Sequence, residues 1–369
     1  MNSQDIDLLV AENGKPCLSI IVPTLKYTRD RMQNPIVVER AISKAQRLLT
    51  HNAWPKAQIE RMTFNLASLA DKLDYIRLQE GLAVFVSPDI FKIYPLPFSV
   101  NEKVMLSKNF EIRDLIYATQ FLQPYYLITL SRKRIRLFRG SGRDIQEVIN
   151  EDFPKQYVEE YEYARPCVGS SFGSGLQAFE KDKSILVQIR INAFFKDADK
   201  ALDKYVKGKG RLFTAGVDEE LTEFEQISGH EVTGKIRGNF DVDALHPLAE
   251  SVWHLMRTNV IAAQEQAVVE FEEALGKSLA VDGIANVWQA AHEGKGRLLL
   301  LEKDYQVTGY VQRQHPGHLF TYPPVGQYDL VHDAADDAIE ITREKGGEVM
   351  IIENGTLEGF DRIAMMLRY

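Results

Sequence analysis

The sequence predicts a mixed α/β protein of three domains, each a mixed sheet with helices. Three observations carry that expectation. The chain has 369 residues, more than one ordinary hydrophobic core serves. It is 45% hydrophobic and 26% charged with no low-complexity tract, the composition of a folded globular chain. Apolar runs of strand length also alternate with amphipathic helical stretches, and the chain closes on a strand–helix–strand unit over 297–353.

The first domain, 1–120, opens with the strand LSIIVP over 18–23. After a polar loop, Pro35 is placed to start a helix, because its missing N–H is harmless in the first turn. Val38, Ala41, Ile42, Ala45 and Leu49 then share one face. A second helix over 56–76 carries Ile59, Met62, Leu66, Leu69 and Leu73 at the same period. Strands over 81–87 and 91–96, joined by a Pro-Asp turn, complete the domain.

The middle domain, 121–260, begins with a hairpin: strands over 125–129 and 134–138 around Ser131, Arg132 and Lys133. A glycine- and serine-rich loop is expected over 166–184, then an amphipathic helix over 192–206 and a strand over 211–215. Pro247 opens a helix that keeps its apolar stripe to Gly276, roughly 45 Å. Asn259 interrupts that stripe, and the domain boundary is set beside it.

The last domain, 261–369, is expected as an α/β/α module. It contains a short helix over 283–292, strands over 297–302 and 306–312, a helix opening at Asp329 and a strand over 348–353. Val331, Ala334, Ala335, Ala338 and Ile341 form the inner stripe of that helix; Asp333, Asp336, Asp337 and Glu340 are assigned to its other face. Gly346 and Gly347 end it.

Charge is unevenly distributed. Residues 1–120 hold 15 basic and 13 acidic side chains, residues 121–260 hold 20 and 21, and residues 261–369 hold 9 and 18, which accounts for the net −8. An acidic surface repels phosphate, so the last domain is expected to face a protein partner, with Asp333, Asp336 and Asp337 as its contact residues. The middle hairpin is the opposite case: Arg132, Lys133, Arg134, Arg136 and Arg139 are candidates for nucleic-acid phosphates, or else a solvated face balanced by nearby acids.

Other chemistry finds little support. Gly169 to Gly173 matches the nucleophile-elbow pattern around Ser171, but neither the strand before it nor the helix after it is predicted. His315 and His318 flank a Pro-Gly turn without a third ligand, so no metal site is expected. No phosphate-cradling glycine motif is present, and no cofactor is expected. Two cysteines, Cys17 and Cys167, give no disulfide framework. Residues 1–15 show no charged-then-apolar leader, and no stretch approaches the ~20 apolar residues of a membrane span, which predicts a cytoplasmic setting.

The order of these parts resembles the bacterial branch of the archaeo-eukaryotic release factors, relatives of class 1 release factors and Pelota. The residues that carry the resemblance are Asn34-Pro35 at the first helix, YYLITLSRKRIRLFRG over 125–140, and LHPL over 245–248 before the long helix. VWQAAHEG over 287–294, RLLLLE over 297–302 and IAMMLRY over 363–369 complete the pattern. The resemblance implies a ribosome-associated release or rescue factor whose last domain shares the fold of kink-turn-binding ribosomal proteins. The family's second domain carries Gly-Gly-Gln on a loop, where the glutamine helps water hydrolyse peptidyl-tRNA. At the matching place this chain offers Gly173, Gly175 and Gln177. It reads Gly-Ser-Gly-Leu-Gln there, follows with Glu180-Lys-Asp-Lys, and has no Asn-Ile-Lys-Ser codon-reading loop. Stop-codon decoding is therefore not expected. Whether the chain is an enzyme stays open between three readings: ester hydrolysis through Gln177, a non-catalytic ribosome- or protein-binding module on the same fold, and a free-standing serine hydrolase using Ser171.

Overall fold

A computed structural model describes residues 3–12, 14–26, 33–51, 54–75, 78–157, 174–207, 210–240 and 245–369; of Ser3 and residues 174–184 the backbone alone is described. The first segment contains α1 (Ser3–Val10), β1 (Cys17–Pro23), α2 (Asn34–Thr50), α3 (Lys56–Ala67), α4 (Leu69–Lys72), β2 (Gly81–Val86), β3 (Phe91–Leu96), β4 (Lys103–Ser107) and α5 (Arg113–Phe121). Its sheet runs β3-β2-β1-β4, all antiparallel. The continuous apolar run of β1 reflects burial on both faces. Leu18, Ile20 and Val22 meet the stripe of Val38, Ala41, Ala45 and Leu49 on α2, with Met62 and Leu66 on α3. Cys17, Ser19, Ile21 and Phe85 are sealed on the opposite side, where Phe110 packs edge-on against Phe85 at 5.4 Å. Asn34 anchors α2: its Nδ2 donates to the Leu25 carbonyl at 2.9 Å and its Oδ1 accepts from the Leu25 amide at 2.8 Å.

The middle segment contains β5 (Pro124–Thr129), β6 (Arg134–Ser141), β7 (Asp144–Glu147), β8 (Lys155–Gln156), α6 (Ser174–Leu202), β9 (Arg211–Gly216), α7 (Asp218–Ile227) and β10 (Val232–Arg237). The sheet order is β10-β9-β5-β6-β7, parallel across β10, β9 and β5 and antiparallel from β5 to β7. Parallel neighbours need a crossover, and α6 supplies it between β5 and β9. Ile191, Phe195, Ala198 and Leu202 of α6 pack on one face with Leu221 and Phe224 of α7. The other face is covered by Leu248, Val252 and Met256 at the start of α8 (Leu245–Gly276). The expected loop over 166–184 is corrected in its second half, since α6 begins at Ser174. The glycines and serines that oppose helix end at Gly175; Leu176 to Lys183 are mostly good helix formers. The helix α7 and strand β10 have no strong period, and the sequence leaves them unassigned.

The last segment contains β11 (Ala280–Asp282), α9 (Ile284–His292), β12 (Gly296–Glu302), β13 (Gly309–Gln312), β14 (Leu319–Phe320), β15 (Tyr328–Val331), α10 (Ala334–Glu344), β16 (Glu348–Ile352) and β17 (Ile363–Leu367). Its main sheet runs β11-β17-β12-β16, with β12 and β16 parallel across the predicted crossover helix. That helix does not open at Asp329: residues 328–331 pair with β13 as β15, and Asp333 caps α10 by accepting from the amides of Ala335 and Asp336.

By internal packing the chain forms two compact units, Met1–Leu122 with Thr258–Tyr369, and Gln123–Arg257. The division at 257/258 falls inside α8. In the first unit the two ends of the chain meet through Arg113, of which 1% is exposed. Its Nη2 lies 2.8 Å from Asp333 Oδ2, its Nε 3.5 Å from Asp336 Oδ1, and its Nη1 donates to the Tyr305 carbonyl. Gln264 Nε2 and Gln120 Nε2 both donate to the Ile351 carbonyl, at 3.1 and 2.9 Å.

A buried ion pair that loses one partner leaves the other charge uncompensated. Arg113→Met is therefore expected to lower the unfolding free energy of the first unit by roughly 3–5 kcal/mol, read by urea denaturation. A Cβ on Gly140 would overlap the Tyr125 ring, so Gly140→Ala is expected to cost about 1–3 kcal/mol in the middle unit, read by hydrogen exchange at β5 and β6.

Candidate functional site

The hairpin of β5 and β6 holds the basic residues, and alternation along β6 sorts them. Arg134, Arg136 and Phe138 share one face, while Arg139 points the other way and is exposed. Arg136 is the first correction. It is 6% exposed, its Nε and Nη2 donate to the two oxygens of Glu147 at 2.9 and 2.7 Å, and its guanidinium lies over the Phe138 ring at 4.9 Å. The bond from Arg136 also holds the Glu147 carboxyl below its usual range. A guanidinium engaged on its fork and its face is closed to a phosphate. Arg134 shares Glu147 at 3.7 Å.

Arg132 sits in the turn before β6 and reaches α7. Its Nη2 is 2.7 Å from Glu219 and 3.6 Å from Glu223, and its amide donates to Glu220 Oε1 at 3.0 Å. Lys133 and Arg139 are exposed and form no ion pair among the described residues. Glu147 lies on the adjoining strand β7, and Glu219 and Glu223 on α7 far along the chain; the sequence does not show which arginine each acid meets.

Of the residues offered for hydrolysis, Gly173 lies outside the described residues, as does Ser171. Gly175 and Gln177 lie in the first turns of α6, a helix of 29 residues. Among the described residues Ile191 is the first of that helix in the core, so the Gln177 backbone stands roughly 21 Å N-terminal to it along the axis. Ile185, Leu186 and Ile189, between the two, are 50%, 56% and 58% exposed.

The acidic residues assigned to a partner are corrected too. Asp333 and Asp336 are buried against Arg113, and Asp337 is partly buried. Both sides of α10 are covered: the apolar stripe by the sheet, the acidic side by the segment leading into α5. Arg113, which makes this possible, carries no periodic signal in the sequence. The Cys17 thiol, pushed up to about 12 by burial, donates to the Glu12 carbonyl and has no nucleophilic character. His315 and His318 close a turn, with the His318 amide donating to the His315 carbonyl at 3.1 Å. No helix among the described residues is long and apolar enough to cross a membrane.

Residues 124–295, from β5 through α9, match the model of bacterial archaeo-eukaryotic release factor family 3. No curated protein sequence matches the chain. Among solved structures, Archaeoglobus fulgidus Pelota is similar at 12% identity over 78% of this chain and 79% of its own, with a TM-score of 0.37. Saccharomyces cerevisiae Dom34, a translation termination-like factor, is similar at 12% identity over 77% and 74%, with a TM-score of 0.37. An archaeal translation termination factor aligns at 15% identity over 100% and 97%, with a TM-score of 0.26. These superpositions are loose, and the likeness that carries weight is the match of residues 124–295 to the family model. By that match this stretch, a little under half of the chain, is similar to the bacterial archaeo-eukaryotic release factor family.

Proposed function

We propose that this protein is a ribosome-associated factor of the release or rescue type. The observation that carries the reading is the family match over 124–295, which takes in the middle unit and its crossover helix α6. In the hydrolytic form of the proposal, Gln177 orients a water for attack on the ester carbonyl of peptidyl-tRNA. Gly173 and Gly175 let the backbone approach closely there. Lys133 and Arg139, the exposed cations of the hairpin, meet RNA phosphates. Segments 1–120, 121–260 and 261–369 correspond in this reading to the family's three domains. The last, with its net charge of −9, is turned toward a protein partner through carboxylates that remain exposed, such as Glu344 and Glu358. A cytoplasmic setting accompanies a ribosomal role.

A second reading has its own support. Gln177 sits in a helix, the tripeptide Gly-Gly-Gln is absent, and Glu180 and Asp182 follow closely. A binding factor that occupies the ribosome without hydrolysis fits those facts.

Co-sedimentation with ribosomes tests the shared claim. Binding is expected at low salt and to weaken steeply as salt rises, and its absence at low salt removes both readings. Replacing Lys133 and Arg139 together by Glu is expected to weaken binding and to flatten the salt slope by about 1 for each phosphate no longer neutralised, while Arg136→Ala destabilises the hairpin instead. Peptidyl-tRNA hydrolysis by Gln177→Ala separates the two readings: a loss of about a hundredfold or more supports the hydrolytic form, and an unchanged rate supports the binding form.

A further inference from the structure

Six carboxyl groups gather around two cations where the chain ends meet in the first unit. Glu111 and Asp114 come from the first segment; Asp333, Asp336, Asp337 and Glu340 come from α10 and its cap. All but Asp337 are buried. The cations are Arg113, placed between Asp333 and Asp336, and Lys103 on β4, 3.9 Å from Asp114. Glu111, Asp337 and Glu340 make no ion pair among the described residues. Asn109 Nδ2 donates to Glu340, and the Ile112 amide reaches Asp336 Oδ2 at 3.4 Å. Glu111 Oε2 and Asp336 Oδ1 are buried with no hydrogen-bond partner. Four excess negative charges cannot be held in such a place; uncompensated buried carboxyls take up protons instead.

The other groups facing this seam do not supply the missing charge. Arg343, at the end of α10, is committed to Asp7 of α1 at 2.6 Å. Lys15 pairs with Glu12 and Asp89. Arg362 pairs with Glu302 at 2.6 Å. Cys17 adds a neutral thiol, and Glu344 adds a further, exposed acid.

We propose that this seam is a proton-held latch: Glu111 on the first segment and Asp337 and Glu340 on α10 stay un-ionised while the two chain ends pack together, and loss of those protons releases α10 from the segment that carries Glu111 and Arg113. Burial, reinforced by neighbouring carboxylates, raises Asp337 to about 7 and Glu340 to about 8, and it pushes Glu111 and Asp336 upward as well. The sign is fixed by proton counting. Below the unfolded carboxyl range, about 4, both states hold the protons and nothing depends on pH. Above it the unfolded chain loses them first, so each rise in pH favours opening until the folded-state values are passed. The latch therefore tightens toward acid and loosens toward alkali, the reverse of the usual ion-paired carboxylate.

Hydrogen exchange on the full chain tests this at about pH 6 and about pH 9.5, corrected for intrinsic exchange, with β5 and β9 of the middle unit as internal reference. Protection over α5 and α10 is expected to fall at least about tenfold relative to the reference as pH rises, the effect of one pKa unit. In the triple variant Glu111→Gln, Asp337→Asn, Glu340→Gln the fall is expected to shrink to about twofold or less, since none of the three groups then ionises. Equal protection changes in seam and reference overturn the latch, and so does a triple variant that loosens as much as the parent. Should that variant fail to fold, Glu340→Gln alone is expected to show a smaller fall than the parent, and the pH comparison on the unaltered chain decides by itself.

Discussion

A guanidinium withdrawn from water must be met by anions, and Arg113 meets two from the far end of the chain. Asp333 and Asp336 stand more than two hundred residues away in sequence, yet they lie within 2.8 and 3.5 Å of it. The arrangement serves several needs at once. Asp333 also caps α10, Asp336 accepts from the Ile112 amide, and α5 is thereby held against α10 and β16. Arg113 and its partners thereby join the last sheet to the first, alongside the bonds of Gln120 and Gln264 to the Ile351 carbonyl. The same pair explains why α10, acidic along one side, is not a solvated surface helix.

The middle unit is organised differently. Its sheet is apolar on both faces, and helices cover both, so it needs no buried charge at its centre. Its ion pairs lie at the margins: Arg136 with Glu147, Arg132 with Glu219, Lys204 with Asp152. Close approach does the remaining work. Gly140 lies directly under the Tyr125 ring, which in turn meets Phe213 edge-on at 5.6 Å. From this frame α6 extends N-terminal of Ile191, the first of its described side chains in the core, and that extension carries the segment on which the hydrolytic reading depends.

Much of the architecture could be read from periodicity. The apolar runs of β1, β2, β5 and β12, the stripes of α2 and α8, and the closing strand–helix–strand unit all follow from the patterns of Val38 to Leu49, Leu248 to Met256 and Val349 to Ile352. Where the pattern was weak the reading failed. The helix α7 is acidic with three buried residues, and β15 has mostly exposed side chains, so neither gives a clear signal. The family resemblance rested on segments such as RLLLLE and VWQAAHEG, and part of that stretch lies within the matched residues 124–295.

The order of residues along the chain was enough to say which stretches become strands and helices, because the spacing of apolar residues is a local property that repeats every two or 3.6 positions. It also located the basic hairpin and the acidic helix. Which of those charges remain available was set by folding alone. Arg136 is closed by Glu147 and Phe138, while Asp333 and Asp336 are closed by Arg113; Lys133 and Arg139 are left open among the described residues. Whether a charge meets water or a partner depends on residues brought near it from distant parts of the chain, and no local pattern records that.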